Sequence, residues 1–307
     1  MNQFRFAVQV SNAADAESWR MLARDIESLG YSTLFIPDHF GDQFGPLVAL
    51  TVASEATTSL KVGSLVFGND YRHPVVLAKE IATLSLMSGG RVEFGLGAGW
   101  MSSDYVQSGI SEDRAGVRVS RMAESLQIYK QMWNRGEASL AGDYYNVTQA
   151  PSAPLLPTAP PIIIGGGSPR VLGIAAREAD IVGVNPNLSA GFVGAEVIES
   201  TTSAYFDERI QWIKAAAGER FPEIELQVLT FFVQITDDRA TAIKNLSGLM
   251  GVSEEAVAET PIALIGTIDE IIETLLQRRE RYGFSYIVVH QEEMRAFAPV
   301  VAALTGR

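Results

Sequence analysis

Asp38 and His39 place a carboxylate next to an imidazole, the two groups that carry most proton transfer in enzymes. The pair follows Thr33–Ile36, a short apolar run that predicts a buried strand. Asp38 could orient the His39 ring for proton transfer, since histidine titrates near neutral pH. The alternative is a turn or helix-capping aspartate beside a packed histidine. Because the chain has only 3 histidines, one placed directly after a strand favours the catalytic interpretation.

Glycines and other small residues follow the next two predicted strands. Gly63 to Asn69 ends the third strand, and Gly97-Ala98-Gly99, followed by Trp100, ends the fourth. Small residues let a flat ring approach the backbone closely, and an indole could form one wall of a site for an aromatic cofactor. Packing between neighbouring strands would use glycine in the same way. Arg72, just beyond the third strand, could meet an anionic group, or its segment could simply begin a helix.

The strongest local pattern is Gly165-Gly166-Gly167-Ser168, which leaves a strand ending at Ile164 and precedes Pro169-Arg170. Proline favours the first position of a helix. The free N–H groups of such a turn, together with the helix dipole, form an anion site, and Arg170 adds positive charge. The alternative is a flexible turn. His290, after the last predicted strand, is a lesser candidate that could equally start a helix.

These clusters need a scaffold that brings strand ends together. Apolar stretches typical of buried parallel strands alternate about eight times with stretches of helical periodicity. An open doubly wound sheet would have a similar pattern, but its Gly-x-Gly-x-x-Gly is missing after the first strand. The sequence therefore predicts an α/β fold, the (β/α)₈ TIM barrel, whose functional residues lie where strands end. We expect one domain over residues 1–307, with an irregular insertion and a small hairpin around 134–160.

Composition narrows the function classes. The net charge of −12 disfavours nucleic acid and anionic membranes as partners. With no cysteine and no His-Glu-x-x-His or similar spacing, we predict neither a disulfide nor a metal site. The start of the chain lacks the pattern of a secretory signal, and no apolar run reaches the roughly 18 residues of a membrane span. We therefore expect a cytoplasmic protein that acts on a small molecule.

In their order along the chain, these motifs resemble the luciferase-like monooxygenase superfamily, and within it the branch of coenzyme F420-dependent oxidoreductases. The resemblance covers nearly the whole chain. It is carried by Pro37-Asp38-His39-Phe40, Arg72-His73-Pro74, Ser88-Gly89-Gly90-Arg91, Gly95-Leu96-Gly97-Ala98-Gly99-Trp100 and the stretch from Pro161 to Arg170.

The resemblance implies a (β/α)₈ barrel with the cofactor at its C-terminal mouth. It places the cofactor ring against a bulge in the third strand, with a non-prolyl cis peptide near Leu65-Val66. It also implies that Gly165–Ser168 and Arg170 hold a phosphate tail, and that His39 lies beside the ring and the substrate.

The activity implied is hydride transfer between coenzyme F420 and an unsaturated small organic substrate. Two alternatives remain open, a monooxygenase that uses reduced FMN and oxygen, and a cofactor-binding protein without turnover. Sugar-phosphate dehydrogenases of the superfamily carry a glutamate after the fourth-strand glycines, where this chain has Trp100. An apolar or aromatic substrate is therefore favoured.

The expected site falls into three groups. The catalytic residues are His39 and Asp38; the cofactor contacts are Leu65, Val66, Asn69, Gly97, Ala98, Gly99, Ile164, Gly165, Gly166, Gly167, Ser168 and Arg170; Trp100 and His290 line the substrate pocket. Expected partners are a second copy of the chain and a flavin or F420 reductase. Residues 185–200 are expected to form a mobile lid over the mouth, from their position and glycine content.

Overall fold

The computed structural model describes residues 2–188, 191–192 and 195–307. Within these ranges, eight parallel strands close into a barrel, and the pairing of the last strand with the first completes the circle. This confirms the predicted (β/α)₈ fold. The barrel strands are β1 Arg5–Gln9, β2 Thr33–Ile36, β3 Lys61–Ser64, β4 Val92–Gly97, β5 Ile162–Gly166, β6 Ile181–Val184, β7 Glu225–Leu229 and β8 Phe284–His290.

Helices surround the barrel and cover its strands. They are α1 Ala16–Ser28, α2 Pro46–Ala56, α3 Pro74–Met87, α4 Ser102–Ser108, α5 Ala115–Arg135, α6 Pro169–Glu178, α7 Ala195–Glu199, α8 Ser203–Ala217, α9 Arg239–Met250, α10 Glu254–Glu259, α11 Ile268–Tyr282 and α12 Met294–Leu304, with short 3₁₀ turns at Asn69–Tyr71 and Gly218–Glu223. Among the described residues, none of these helices is long and apolar enough to cross a membrane.

The strands are apolar on both faces because one face packs on the helices and the other fills the barrel. All residues of β2 and β6 are buried, for example. An inner cluster that includes Phe35, Ile163 and Val288 fills the lumen. The apolar runs in the sequence were therefore a sound guide to the barrel strands.

A buried ion network lies near the N-terminal end of the barrel. Glu93 in β4 is fully buried and accepts hydrogen bonds from Arg5 at 2.5 Å, Lys61 at 3.0 Å and the Tyr286 hydroxyl at 2.8 Å. Arg5 also binds Glu225. Since a buried carboxylate needs partners, this network fastens five strands together.

Two predicted strands are interrupted in the structure. The third ends at Ser64, and the chain re-enters the sheet at Phe67–Gly68 after a cis peptide bond between Leu65 and Val66. That bond lies where the resemblance placed it. The seventh, which the sequence predicts over Glu225–Val233, ends at Leu229, and the Thr230 N–H and hydroxyl beyond it both donate to the carbonyl of Val288.

The chain beyond Thr230 forms a second, smaller sheet. Phe232–Ile235 pairs in parallel with Ala263–Gly266, a strand that the sequence analysis did not predict. The predicted insertion does contain its hairpin, formed by the antiparallel strands Glu137–Ala141 and Asn146–Pro151.

Candidate functional site

His39, at the C-terminal end of β2, is held by Asp104 of helix α4. The His39 Nδ1 atom lies 2.6 Å from Asp104 Oδ2. Asp104 is only 1% exposed. Its carboxylate also accepts the backbone N–H of Phe40 at 3.2 Å and the Tyr71 hydroxyl at 3.0 Å. The imidazole is thus fixed at one nitrogen by a buried, acceptor-only group.

Asp38 has a different partner from the one predicted. Arg72 clamps its carboxylate with two hydrogen bonds, Nη1 to Oδ2 at 2.5 Å and Nη2 to Oδ1 at 3.1 Å, and the Gly68 N–H adds a third at 3.0 Å. The prediction that Asp38 orients His39 is therefore wrong. Adjacent side chains leaving a strand point in different directions, so Asp38 reaches the loop after β3 while His39 reaches α4. The anionic group that Arg72 binds is thus the carboxylate of Asp38.

Two phenols accompany the carboxylates of this region. Burial, then the charge of Asp104, raises the pKa of the Tyr71 hydroxyl well above its usual range. Burial and Asp70 do the same for the pKa of Tyr105, whose hydroxyl donates to Asp70 at 3.1 Å. Both phenols therefore stay protonated and act as donors. Asp70 also forms an ion pair with Arg121 at 2.9 Å.

Aromatic side chains surround the imidazole. The Trp100 ring stands perpendicular to that of His39, with centroids 5.7 Å apart. Phe40 packs against Tyr71 at 4.9 Å and is 47% exposed. The structure thus brings together Trp100 and His39, two residues that the sequence analysis selected from different strand ends.

His290 lies at another part of the rim. It ends β8 opposite Gln9 of β1, and its ring is 6.1 Å from that of Phe231. Gln9 was missed by the sequence analysis, yet its amide donates to the carbonyl of Leu65 at 3.0 Å. A glutamine within the apolar strand β1 was the available signal. It connects the His290 side of the mouth to the bulge after β3.

The glycines of β4 are required by that bulge. A Cβ on Gly97 would lie 2.6 Å from a methyl of Val66, and one on Gly95 would lie 2.0 Å from the carbonyl oxygen of Ser64. Close approach by a neighbouring strand, the alternative considered for this motif, thus explains Gly95 and Gly97 directly. Gly99 has φ of +78° and faces the Tyr105 hydroxyl.

The glycine run after β5 leads directly into helix α6. Ser168 is the N-cap, its Oγ accepting the Val171 N–H at 3.4 Å, and Pro169 follows. The run is also packed tightly by the chain itself, since a Cβ on Gly167 would lie 2.6 Å from the Tyr205 hydroxyl. The predicted strand-to-helix turn is present.

Two arginines flank this turn. Arg170 is exposed and donates to the Gly116 carbonyl at 2.8 Å and to Ser120 Oγ at 2.6 Å, both in the first turns of α5. Arg209 of α8 donates from Nε to the Gly167 carbonyl at 3.2 Å and stacks on Tyr205. The sequence analysis missed Arg209 because it lies 42 residues beyond Gly167 along the chain.

Asn69 supplies a polar atom that is left unsatisfied. It is 1% exposed, and its amide nitrogen is 3.4 Å from the Tyr145 hydroxyl. Its Oδ1 is buried without a hydrogen-bond partner among the described residues. A heteroaromatic ligand that donates an N–H beside the bulge would satisfy this oxygen. The residues present therefore fit a flavin-like ring.

The segment 185–200 touches helix α4 where it is described. The Ser102 N–H donates to the Gly191 carbonyl at 3.1 Å. Residues 189–190 and 193–194 of the predicted lid, including Gly194, lie outside the described residues. The lid therefore stays a prediction.

Comparison with known proteins decides the family. A model described as luciferase-like monooxygenase matches residues 1–286. The chain belongs to this family. The description of the family names monooxygenases, which are a class of oxidoreductase.

Curated relatives in this family include F420-dependent glucose-6-phosphate dehydrogenases. That of Amycolatopsis mediterranei is 29% identical over 167 residues, 50% of this chain and 49% of the relative. That of Nakamurella multipartita is 26% identical over 270 residues, 81% of this chain and 74% of the relative. The match thus spans about half the length of the first of these relatives.

Solved luciferase-like structures share the fold. The coenzyme F420-dependent tetrahydromethanopterin reductase of Methanopyrus kandleri superposes with a TM-score of 0.78 at 18% identity, over 99% of both chains. A long-chain alkane monooxygenase superposes with a TM-score of 0.77 at 15% identity, over 99% of this chain and 91% of that one. Both likenesses concern the fold alone.

Proposed function

We propose that this protein transfers a hydride between coenzyme F420 and an unsaturated small organic substrate, a C=C or C=N compound. The observation that carries the proposal is His39, held by Asp104 and placed beside Trp100 at the C-terminal ends of the strands. Relatives whose names specify coenzyme F420 support the choice of cofactor.

The cofactor would be held by the residues predicted for it. When bound, coenzyme F420 supplies a carbon, C5, that accepts or donates the hydride. The bulge at Leu65 and Val66 and the glycine-built end of β4 would support the ring, and Asn69 Oδ1 would accept from it. The predicted cofactor contacts are Leu65, Val66, Asn69, Gly97, Ala98, Gly99, Ile164, Gly165, Gly166, Gly167, Ser168 and Arg170.

The phosphate tail would lie at the turn before α6. Backbone N–H groups at a helix start bind anions, with the dipole favouring negative charge. In a chain of net charge −12, such a tail needs a local positive site. Arg170 and Arg209 flank the turn and supply it.

His39 would move the proton that accompanies the hydride. Its Nδ1 is occupied by Asp104, so Nε2 is the atom that exchanges a proton with the substrate or with a bound water. Trp100 would cover the reacting groups from one side. Asp38 supports this arrangement through Arg72, which anchors the loop after β3.

The substrate would be apolar or aromatic. Trp100 and the exposed Phe40 line the mouth near His39. Such linings favour ligands without phosphate.

Turnover with reduced coenzyme F420 tests this function. We expect apolar enones or imines to be reduced, with reappearance of the oxidised deazaflavin absorbance, while oxidised F420 and glucose 6-phosphate give no reaction. Reaction with glucose 6-phosphate alone would contradict the substrate class. Failure of every unsaturated substrate, with the cofactor bound, would contradict the proposed reaction and favour a cofactor-binding protein without turnover.

A monooxygenase that uses reduced FMN and oxygen is the second candidate. The fold likeness to an alkane monooxygenase and the aromatic rim, which would exclude water, favour it. This function would need a reductase partner to supply the reduced flavin. Oxygen consumption coupled to substrate hydroxylation would distinguish it.

We also propose that the protein forms a homodimer through α2 and α3. These helices carry exposed apolar side chains on their outer surfaces, including Val48, Val76, Leu86 and Met87. Exposed apolar side chains are where two chains of net charge −12 can approach each other most readily. Sedimentation should give twice the chain mass, and Val76→Glu together with Leu86→Glu should give the monomer.

A further inference from the structure

We infer that Asp104 is a positioning residue of the site, which fixes the neutral His39 ring in the tautomer that carries its proton on Nδ1. This inference rests on the proposed function for its catalytic meaning, but its geometry stands independently. Ionised aspartate has only acceptors. The Nδ1 atom, 2.6 Å from Asp104 Oδ2, must therefore be the donor, which leaves the lone pair on Nε2.

Asp104 differs from the other buried carboxylates of the mouth in its ion-pair partner. The side chains of Asp38, Asp70 and Asp104 are all buried, and a buried carboxylate is costly without a compensating charge. Asp38 is paired with Arg72 and Asp70 with Arg121, both permanent cations. Among the described residues, the ion-pair partner of Asp104 is the imidazole of His39.

This difference indicates a role beyond packing. Histidine gains and loses its charge near neutral pH, whereas arginine does not. A carboxylate paired with His39 stabilises the imidazolium that forms when Nε2 accepts a proton, and releases it when the proton leaves. The Phe40 N–H and the Tyr71 hydroxyl hold the carboxylate in place without neutralising it.

Replacing Asp104 with asparagine makes a specific prediction. The Phe40 N–H is a fixed donor that needs an oxygen at the Oδ1 position, whereas the Tyr71 hydroxyl can rotate to accept, so the amide nitrogen should take the place of Oδ2. That nitrogen is a donor and would face His39 Nδ1, which must then accept. The proton of the neutral ring would move to Nε2, where it would block proton uptake.

Side-chain nitrogen NMR tests this directly. Long-range ¹H–¹⁵N spectra of the apo-protein at about pH 9, where ordinary imidazoles are neutral, report the tautomer of each of the 3 histidines. Variants His73→Gln and His290→Gln assign the signals. We expect the Nδ1–H tautomer for His39 in the wild type and in Asp104→Glu, and the Nε2–H tautomer in Asp104→Asn.

Tyr71→Phe is the matched control, because it removes a different hydrogen bond to the same Asp104 oxygen. It should leave the His39 tautomer unchanged. An Nε2–H tautomer in the wild type would overturn the inference, as would an Nδ1–H tautomer retained in Asp104→Asn. The wild-type spectrum decides the point even if Asp104→Asn fails to fold.

Kinetics then separate this inference from the proposed function. With turnover established, Asp104→Asn should lower kcat by about 10²-fold or more, while the Kd for coenzyme F420 changes less than about 3-fold, under 0.7 kcal/mol. Asp104→Glu should restore part of kcat. If the wild type shows the Nδ1–H tautomer but no turnover, the proposed function alone is refuted. If the wild type turns over but shows the Nε2–H tautomer, the positioning role of Asp104 alone is refuted.

Discussion

At the scale of single residues, the mouth of the barrel is organised by its charges. Asp38, Asp70 and Asp104 are each buried, and each is compensated by a different partner. The arginine partners fasten loops, while the histidine partner can change its charge. Structural and chemical roles are thus divided among side chains of the same type.

His39→Ala tests the catalytic assignment. Removing the imidazole should slow the chemical step by about 10²- to 10⁴-fold, since that is the usual contribution of a general acid or base. Cofactor affinity should stay nearly constant. Single-turnover kinetics separate the two quantities, and an unchanged chemical step would refute the assignment.

Arg72→Ala tests the structural role of the Asp38 pair. It leaves a buried carboxylate without its bidentate partner, so the free energy of unfolding should decrease by about 3–5 kcal/mol. Arg281→Ala is the control, because its pair with Asp207 is exposed and should contribute less than about 1 kcal/mol. Urea unfolding measures both. Equal losses would contradict this assignment.

At the scale of elements, the bulge after β3 sets the shape of the mouth. It interrupts the strand at Leu65-Val66, and β4 accommodates it with glycines. Gln9 of β1 fastens it from the other side. The cofactor site proposed here is therefore a property of three strands acting together.

Gly97→Ala tests this dependence. The added methyl would lie 2.6 Å from Val66 Cγ2, so the bulge must shift. The free energy of unfolding should therefore decrease by about 1–3 kcal/mol. Gly248→Ala is the control, since in helix α9 no heavy atom of the described residues lies within 4 Å of that position. It should stabilise by roughly 0.5–1 kcal/mol. Thermal or urea unfolding distinguishes them, and a neutral Gly97→Ala would contradict the packing argument.

The sequence predicted most elements because their periods are strong, as in α1 and α11. It failed where long-range contacts override the pattern. Nothing local marks the end of β7 at Leu229, because the chain beyond it pairs with the distant strand Ala263–Gly266. Asp104 was missed for the same reason, since it lies 65 residues from His39 and its short helix α4 follows a glycine-rich turn. Chain order cannot show which strand end a later helix will reach.

At the scale of the whole molecule, carboxylates hold the barrel together. Burial opposes ionisation of Glu93, but the charges of Arg5 and Lys61 bring its pKa below the usual range. Burial likewise opposes ionisation of Glu27, yet the N–H groups of residues 58–60 lower its pKa to about 2. Both groups therefore stabilise the folded chain as anions.

These lowered pKa values set the direction of the pH dependence. Between the ordinary glutamate pKa of 4.5 and about 2, the unfolded chain binds more protons than the folded one. The contribution of these carboxylates to the free energy of unfolding should therefore be complete above this window. It should decrease as the pH falls through it. Urea unfolding at several pH values measures this, and Glu27→Gln should flatten the dependence. An unchanged slope in that variant would contradict the role of Glu27.

The fold was the most predictable property of the molecule. Continuous apolar strands such as Ile162-Ile163-Ile164 are required by a barrel with helices outside, and their alternation with helices leaves few topologies. The substrate was the least predictable, because loops and additions such as the second sheet at Phe232–Ile235 can vary without altering the barrel.

A paired titration of the apo-protein with coenzyme F420 and with FMN tests the central claim most directly. Quenching of tryptophan fluorescence gives both Kd values under one set of conditions. We predict that coenzyme F420 binds at least tenfold more tightly than FMN, a difference of about 1.4 kcal/mol. Equal or tighter binding of FMN would contradict the account and favour the oxygen-dependent monooxygenase.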